Sequence, residues 1–105
     1  MKIKKIIAVI RCEDLEKVES ALQQAGVPGI SVTYVKGFGE YANFFKSPPL
    51  VEHVHIEIFV EESSVQSVVD AIFANAHSGL SGDGIIAVLP VEYLYSIRTK
   101  GEIRL

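Results

Sequence analysis

Two amphipathic helix patterns, each set between two strand-like apolar runs, constrain the fold of this 105-residue chain more than any other feature. Within residues 15–25 and 65–76 the apolar side chains recur at steps of three and four, the period of a helix that buries one face. Runs rich in β-branched residues, too short for core helices, predict strands at residues 3–10, 30–34, 51–60 and 85–89. The order β-α-β, β-α-β predicts a ferredoxin-like α+β sandwich, in which an antiparallel sheet carries both helices on one face.

Finer signals predict where these elements begin and end. Gly26 follows the first helix pattern, as glycine commonly does after the last turn of a helix. Ser63, with Gln66 three residues later, is a capping-box signature at the start of the second helix. Pro90 predicts the end of the fourth strand because proline cannot donate to a sheet ladder, and residues 93–97 predict a short extra edge strand.

Length and composition predict one domain over residues 1–105 and exclude several classes of protein. The chain is 49% hydrophobic and 22% charged, which is ordinary for a globular domain. Its net charge is −3 and its basic residues are scattered, which disfavours a nucleic-acid groove. No apolar run approaches the roughly 20 residues of a membrane-spanning helix, no leader cleavage site is evident, and the lone Cys12 fits a reducing compartment. We therefore expect a cytoplasmic protein that neither binds nucleic acid nor inserts into a membrane.

A glycine-rich segment joins the second helix pattern to the fourth predicted strand. Residues 78–84 are Ser-Gly-Leu-Ser-Gly-Asp-Gly, and the three glycines would let backbone N–H groups approach a bound anion closely. The same composition is typical of an ordinary turn. Taken alone, the segment leaves a phosphate cradle and a simple turn as alternatives.

The stretch between the second and third strands, residues 40–49, shows neither helix nor strand periodicity. It contains Tyr41, Phe44 and Phe45 and ends in two prolines. Aromatic side chains are frequent anchors at protein interfaces, so these three predict a loop that docks onto a partner. Packing of the same aromatics against a neighbouring subunit is the alternative.

Three ordered stretches, residues 32–39, 78–84 and 97–102, resemble the signature motifs of the PII signal-transduction family. Their spacing is also similar, apart from a shorter middle loop, and the likeness runs over essentially the whole chain. The resemblance implies a homotrimeric regulator with an adenine nucleotide in each cleft between subunits. It also implies that the nucleotide shifts the arrangement of the middle loop, the T-loop of the family, and so controls a partner such as a membrane transporter or a cytoplasmic enzyme.

The resemblance also implies the members of the nucleotide site. These are Gly29, Ser31, Gly37, Phe38, Gly39, Glu57, Gly82, Asp83, Gly84 and Arg98. In that arrangement the glycines of the two loops approach the phosphates, Glu57 lies near the adenine, and Arg98 reaches a phosphate from the C-terminal loop.

Several positions depart from the family pattern where the family carries positive charge. Glu40, Ile85 and Ser96 stand in place of an arginine, a lysine and an arginine. With three cationic contacts gone, we expect ADP or AMP to be favoured over ATP. Tyr41 and His53 replace a glutamine and a lysine associated with 2-oxoglutarate, which argues against sensing of that acid.

His53, His55 and Glu57 support an alternative function in metal binding. A spacing of two along a strand directs all three side chains to one face, and two imidazoles with a carboxylate can bind a divalent transition metal. The corresponding protein would be a metal-binding or metal-tolerance trimer of CutA-like architecture. Histidines that form hydrogen bonds at a subunit interface explain the same pattern without a metal.

Catalytic motifs are not evident in the sequence. It contains no Ser-His-Asp arrangement in an oxyanion-hole context, no paired cysteines and no carboxylate pair whose setting suggests separated pKa values. We therefore predict a regulator and not an enzyme, with no catalytic residues.

Overall fold

The computed structural model describes residues 2–37, 51–80 and 82–104. Its two helices, each preceded by a short 3-10 turn, are α1 (Leu15–Gln24) and α2 (Val65–Ala76). The four long strands are β1 (Ile3–Arg11), β2 (Ser31–Gly37), β3 (Val51–Glu61) and β4 (Gly84–Val91). Two strands of two residues each follow: β5 (Tyr95–Ser96) and β6 (Gly101–Glu102).

The four long strands form one antiparallel sheet in the order β2-β3-β1-β4. In β1, Ile6 lies opposite Ile58 of β3 on one side and opposite Val88 of β4 on the other. Each helix connects two strands that have one other strand between them, which is the split βαβ connection. The predicted ferredoxin-like α+β fold is confirmed.

Both helices pack on one face of the sheet and form a single core with it. Alternate residues of β1 and β3 point into this core, because successive side chains of a strand face opposite sides. Its buried apolar side chains are Ile6, Ala8, Ile10, Val18, Leu22, Val54, Ile56, Ile58, Val60, Val68, Ile72 and Ala76. The opposite face of the sheet has no helix over it within the described residues, and it carries His53, His55 and Glu57 of β3.

The structure differs from the sequence-based prediction at Pro90. β4 continues to Val91, with Pro90 opposite Lys4 of β1. β4 lies at the edge of the four-stranded sheet, and proline is tolerated there because one side of the strand has no ladder partner that needs an N–H. The predicted stop at Pro90 is therefore wrong.

The predicted edge strand at residues 93–97 does not join the main sheet. Tyr95 and Ser96 pair instead with Glu102 and Gly101 in a separate two-stranded hairpin. Backbone hydrogen bonds from Lys100 to Ser96 and from Ile103 to Leu94 close this hairpin on itself. The C-terminal segment is thus a small unit of its own at the end of β4.

The predicted capping box at the start of α2 is also wrong. The residue at the N-cap is Ser64, and its side chain forms no capping bond. A 3-10 turn runs directly into the helix and already bonds the Val65 N–H to the Glu62 carbonyl, while the Gln66 side chain donates to Asp70 instead. The first turn of α2 is therefore stabilised by backbone hydrogen bonds that continue from the 3-10 turn, and not by side-chain hydrogen bonds of a capping box.

Gly84 cannot be replaced without moving the backbone at the start of β4. Its φ is +118°, and a Cβ there would lie 1.8 Å from the carbonyl oxygen of Val9. Gly26 is a matched control, since its φ is +85° but nothing lies within 4 Å of a Cβ at that position. We expect Gly26→Ala to lower the free energy of unfolding by about 1 kcal/mol and Gly84→Ala to lower it by more than about 3 kcal/mol. Urea denaturation at equal protein concentration measures both; equal losses would contradict the close approach to Val9.

Candidate functional site

The predicted nucleotide residues of β2 and β3 lie along one strip of the uncovered sheet face. The cross-strand pairs on this strip are Ser31 with Glu57, Thr33 with His55, and Val35 with His53. Gly37 ends β2, and Gly29 lies two residues before β2 begins. At about 3.3 Å per residue, the four steps from Glu57 to His53 span about 13 Å. The strip is therefore continuous from the predicted adenine end to the predicted phosphate end.

Glu57 is held by two neighbouring side chains of this face. Its Oε1 lies 3.2 Å from Nζ of Lys5 and 3.5 Å from Nε2 of His55. Lys5 also lies 5.9 Å from the ring centroid of Phe59. The Glu57 side chain is 37% exposed, so the ion pair adds little to stability, but it fixes the position of the carboxylate.

His53 joins β3 to the glycine-rich segment. The residue is only 3% exposed, and its Nε2 lies 3.2 Å from the carbonyl oxygen of Gly82. A carbonyl oxygen only accepts hydrogen bonds, so this contact requires a proton on Nε2. The histidine therefore donates to the main chain of the segment that the sequence assigns to phosphates.

Asp83 turns its carboxylate back onto its own segment. Its Oδ2 accepts hydrogen bonds from the backbone N–H groups of Ser78 and Gly79 at 2.7 and 2.8 Å, and its Oδ1 accepts one from the Ser78 hydroxyl. Nδ1 of His77 lies 3.7 Å from the same Oδ2. The carboxylate thus closes the turn between α2 and β4.

These contacts keep Asp83 ionised. Partial burial raises its pKa, but the hydrogen bonds from Ser78 and Gly79 and the positive charge of Arg11 outweigh that effect and lower the pKa to about 2. Asp83 therefore carries its negative charge at neutral pH, and that charge is met by donors inside the protein.

Sequence reasoning missed Arg11, the last residue of β1. Its guanidinium Nη2 lies 3.0 Å from Asp14 and 3.5 Å from Asp83, and it donates to the Ala76 carbonyl, at the end of α2, at 3.4 Å. Asp14 is buried, and a buried carboxylate needs such a partner. The sequence offers only one signal for this role of Arg11, a positive charge at the end of a buried strand. The acidic residues that pair with it are brought together only by the fold.

The three predicted metal ligands do not converge within one chain. His53 is directed to Gly82, whereas His55 and Glu57 meet each other and Lys5. Among the residues that the structure describes, no group of three or more His, Cys, Asp or Glu side chains is arranged to hold a metal ion. The geometry of a single chain therefore favours hydrogen bonding and ion pairing at these positions.

Arg98 lies apart from the glycine-rich segment of its own chain. It belongs to the turn between β5 and β6, and this hairpin follows the far end of β4, where Val91 and Ile103 line a common cavity of about 450 Å³. The seven steps of extended strand from Gly84 to Val91 span about 23 Å. The structure therefore does not bring Arg98 together with Gly84 in one chain.

The predicted loop residues lie outside the described part of the chain. They are Phe38 and Gly39 of the nucleotide site, Glu40 beside them, and Tyr41, Phe44 and Phe45 of the docking loop. What the sequence predicts for these positions stays a prediction.

The fold, together with a glycine-rich segment fixed beside a polar strand face, defines a small ferredoxin-like α+β protein. The family model described as Nitrogen regulatory protein P-II matches residues 3–101. Nitrogen regulatory protein P-II of Azospirillum brasilense is 39% identical in an alignment 104 positions long, which covers 92% of this chain and 93% of that protein. The protein of the same name from Microchaete diplosiphon is 38% identical with the same coverage.

A crystal structure of Arabidopsis thaliana PII bound to citrate has a TM-score of 0.82 and 35% identity, over 96% of this chain and 85% of that chain. The chain belongs to the nitrogen regulatory protein P-II family.

Membership in this family confirms two predictions. The resemblance carried by the three ordered motifs is correct, and the protein is a signal-transduction regulator and not an enzyme. Within the described residues, neither helix combines the length and the apolar character that crossing a bilayer requires.

Loss of the Asp83 charge should destabilise the protein in a pH-dependent way. The folded-state pKa of about 2 lies below the ordinary value of 3.8, so ionised Asp83 stabilises the fold above about pH 4 and this contribution is lost as the pH falls towards 2. We expect Asp83→Asn to lower the free energy of unfolding at pH 7 by about 1 kcal/mol, since solvent screens part of the effect, and to match the parent protein near pH 2. Urea denaturation at both pH values measures the change.

Asp70→Asn provides the control for this experiment. Asp70 accepts a hydrogen bond from Gln66 on the exposed surface of α2, and we expect its replacement to cost less than about 0.5 kcal/mol. A loss at position 83 that does not vary with pH would contradict the role assigned to the Asp83 charge.

Proposed function

We propose that this protein is a homotrimeric cytoplasmic sensor that binds an adenine nucleotide in clefts between subunits and controls a partner protein through the loop at residues 40–49. One observation carries the proposal. His53 contacts the Gly82 carbonyl and is paired across the sheet with Val35, two residues before Gly37. Gly37 and Gly82 therefore lie towards the same end of the uncovered sheet face, where backbone N–H groups could surround a phosphate.

The strip along β2 and β3 gives the nucleotide an orientation. The phosphates lie at Gly37 and Gly82, and the base extends towards Ser31 and Glu57, about 13 Å away along β3. Because Lys5 fixes Glu57, its carboxylate is placed to accept a hydrogen bond from the exocyclic amino group of adenine. A sheet face that offers donors at one end and an acceptor at the other suits an adenine nucleotide.

The position of Arg98 supports a site shared between subunits. In its own chain Arg98 lies beyond the far end of β4 from Gly84, so its guanidinium would reach the phosphates from a neighbouring copy. Ile85 and Leu89 on the uncovered sheet face are 42% and 39% exposed, and they offer apolar surface for such a contact. A homotrimer with its sheets facing a shared centre accounts for both features, and trimers are typical of the P-II family.

The charges near the glycine motifs favour ADP or AMP over ATP. Ile85 directly follows Gly84 and presents an apolar side chain, and Ser96, on the same hairpin as Arg98, would present a hydroxyl from the neighbouring copy. Arg11 is close to the segment, but its charge is already balanced by Asp14 and Asp83. Charge-assisted hydrogen bonds contribute most to phosphate binding. With few free cations here, the negative charge of a triphosphate is balanced less well than that of a mono- or diphosphate.

Control of a partner follows from where the ligand lies. Gly37 ends β2 and leads into residues 40–49, so a ligand with different affinities for two arrangements of that loop shifts their populations. Tyr41, Phe44 and Phe45 then become more or less available to a membrane transporter or a cytoplasmic enzyme. The similar Arabidopsis PII was determined bound to citrate, which supports an anionic ligand for this chain as well.

Calorimetric titration with AMP, ADP and ATP tests the nucleotide site directly. We expect ADP or AMP to bind more tightly than ATP, and Gly82→Trp to abolish binding because its indole would obstruct the segment. Gly26→Trp is the matched control: its φ is +85°, against +94° at Gly82, but it faces open space beyond the end of α1. A folded parent protein that binds no nucleotide, or equal binding by the two variants, would overturn the proposal.

Ile85→Lys tests the argument from charge. Ile85 is 42% exposed beside Gly84, so a lysine placed there keeps its ammonium group in contact with solvent. We expect this variant to bind ATP about tenfold more tightly and to change AMP binding by less than about twofold, because an added cation favours the ligand with the most phosphate charge. Ile85→Leu, of the same size but uncharged, is the control. Unchanged calorimetric affinities for all three nucleotides would contradict the role given to charge.

A further inference from the structure

Arg11 and His53 are neighbours across the β1–β3 ladder, at the sheet end where the glycine-rich segment leads into β4. The two residues are paired in register, and the adjacent residue of β1, Ile10, is paired with Gly84. Each side chain contacts the segment at a different point. His53 reaches the main chain of Gly82, and Arg11 reaches the carboxylate of Asp83.

These two contacts occupy hydrogen-bond acceptors of two consecutive residues, Gly82 and Asp83. His53 Nε2 lies 3.2 Å from the Gly82 carbonyl oxygen, and Arg11 Nη2 lies 3.5 Å from Oδ1 of Asp83. The second carboxylate oxygen of Asp83 accepts from the backbone of Ser78 and Gly79. Carbonyl and carboxylate oxygens repel an anion, whereas N–H groups attract it. Because His53, Arg11 and the backbone of Ser78 and Gly79 already engage these oxygens, an anion beside the segment is favoured.

Both side chains are themselves fixed in place. His53 is 3% exposed within the sheet. Arg11 donates from Nε to Asp14 at 3.1 Å and from Nη2 to the Ala76 carbonyl at 3.4 Å, so it is anchored to the start of α1 and to the end of α2. A segment held from such rigid positions needs little ordering when a ligand binds.

We propose that Arg11 and His53 are a pair of positioning residues, which hold Gly82 and Asp83 in the conformation that receives the phosphates before the nucleotide arrives. They act on the loop and not on the ligand. The positive φ of Gly82 and Gly84, +94° and +118°, gives the segment the backbone shape that these contacts retain. This role rests on the proposed nucleotide site and adds to it the residues that preform it.

Substitutions in matched pairs test this role by calorimetric titration with ADP. His53→Leu removes the donor, whereas His53→Gln keeps an N–H donor on a side chain of similar reach. Arg11→Met removes the guanidinium, whereas Lys17→Met removes a different cation, 3.5 Å from Asp14, on the exposed side of α1. We expect ADP affinity to fall about tenfold in His53→Leu and in Arg11→Met, and to stay within about threefold of the parent in the other two variants.

The double variant and hydrogen exchange separate positioning from a general loss of stability. Because Arg11 and His53 act through one segment, His53→Leu combined with Arg11→Met should weaken ADP binding by clearly less than the product of the two single effects. In the absence of ligand, the amides of Ser78 and Gly79 should exchange about tenfold faster in each single variant. The amides of β1 and β3 should exchange at the parent rate.

Each alternative result has a distinct meaning. Unchanged ADP affinity in both His53→Leu and Arg11→Met would overturn the positioning role and leave the nucleotide site standing. Exchange that is faster in all strands would also overturn it, since the variants would then merely be less stable. A folded parent protein that binds no nucleotide would overturn the proposed function, and the positioning role in nucleotide binding with it.

Discussion

Most features of this structure follow from the antiparallel pairing of β1 with β3. On one face of this ladder, residues such as Ile6 and Ile58 join the core beneath the two helices. On the other face, the same register sets Lys5 near Glu57 and ends at the pair formed by Arg11 and His53. A shift of one residue would turn both sets of side chains to the opposite faces, so core packing and the candidate site are specified together.

Polar groups at the end of this ladder satisfy one another inside the protein. Arg11 is shared between the buried Asp14 and the carboxylate of Asp83, and it also caps the carbonyl end of α2. Burial of Asp14 is tolerable because its partner is close and well oriented. The glycine-rich segment is thereby organised by contacts within the chain, and the attraction it can offer an anion comes from backbone N–H groups more than from side-chain cations.

Membership in the P-II family assigns the protein to a class of regulators. The strip from Ser31 and Glu57 to Gly37 and Gly82 belongs to one chain, whereas Arg98 lies on a hairpin at the other end of β4. The proposed site, divided in this way, would couple ligand binding to the association of subunits. It would also join the ligand to the loop between β2 and β3, which begins where the phosphates are proposed to lie.

Local sequence patterns were sufficient for the fold class, the positions of both helices and the four main strands, and three ordered motifs were sufficient for the family. The spacing of apolar residues indicates which side of a helix or strand is buried, and that spacing can be recognised from residues close together in the sequence. It could not reveal that Pro90 would be accommodated in β4, because that follows from the place of β4 at the edge of the sheet. Nor could it show that Asp83 faces its own segment.

The contacts that shape the candidate site join residues far apart in the chain, such as His53 with Gly82 and Arg11 with Asp83. They also explain why three residues with metal-ligand spacing, His53, His55 and Glu57, are used separately. Such contacts are set by strand order and register, which are decided by the packing of the whole core. For that reason the sequence pointed to the glycine-rich segment, and only the tertiary structure could identify the residues that hold it.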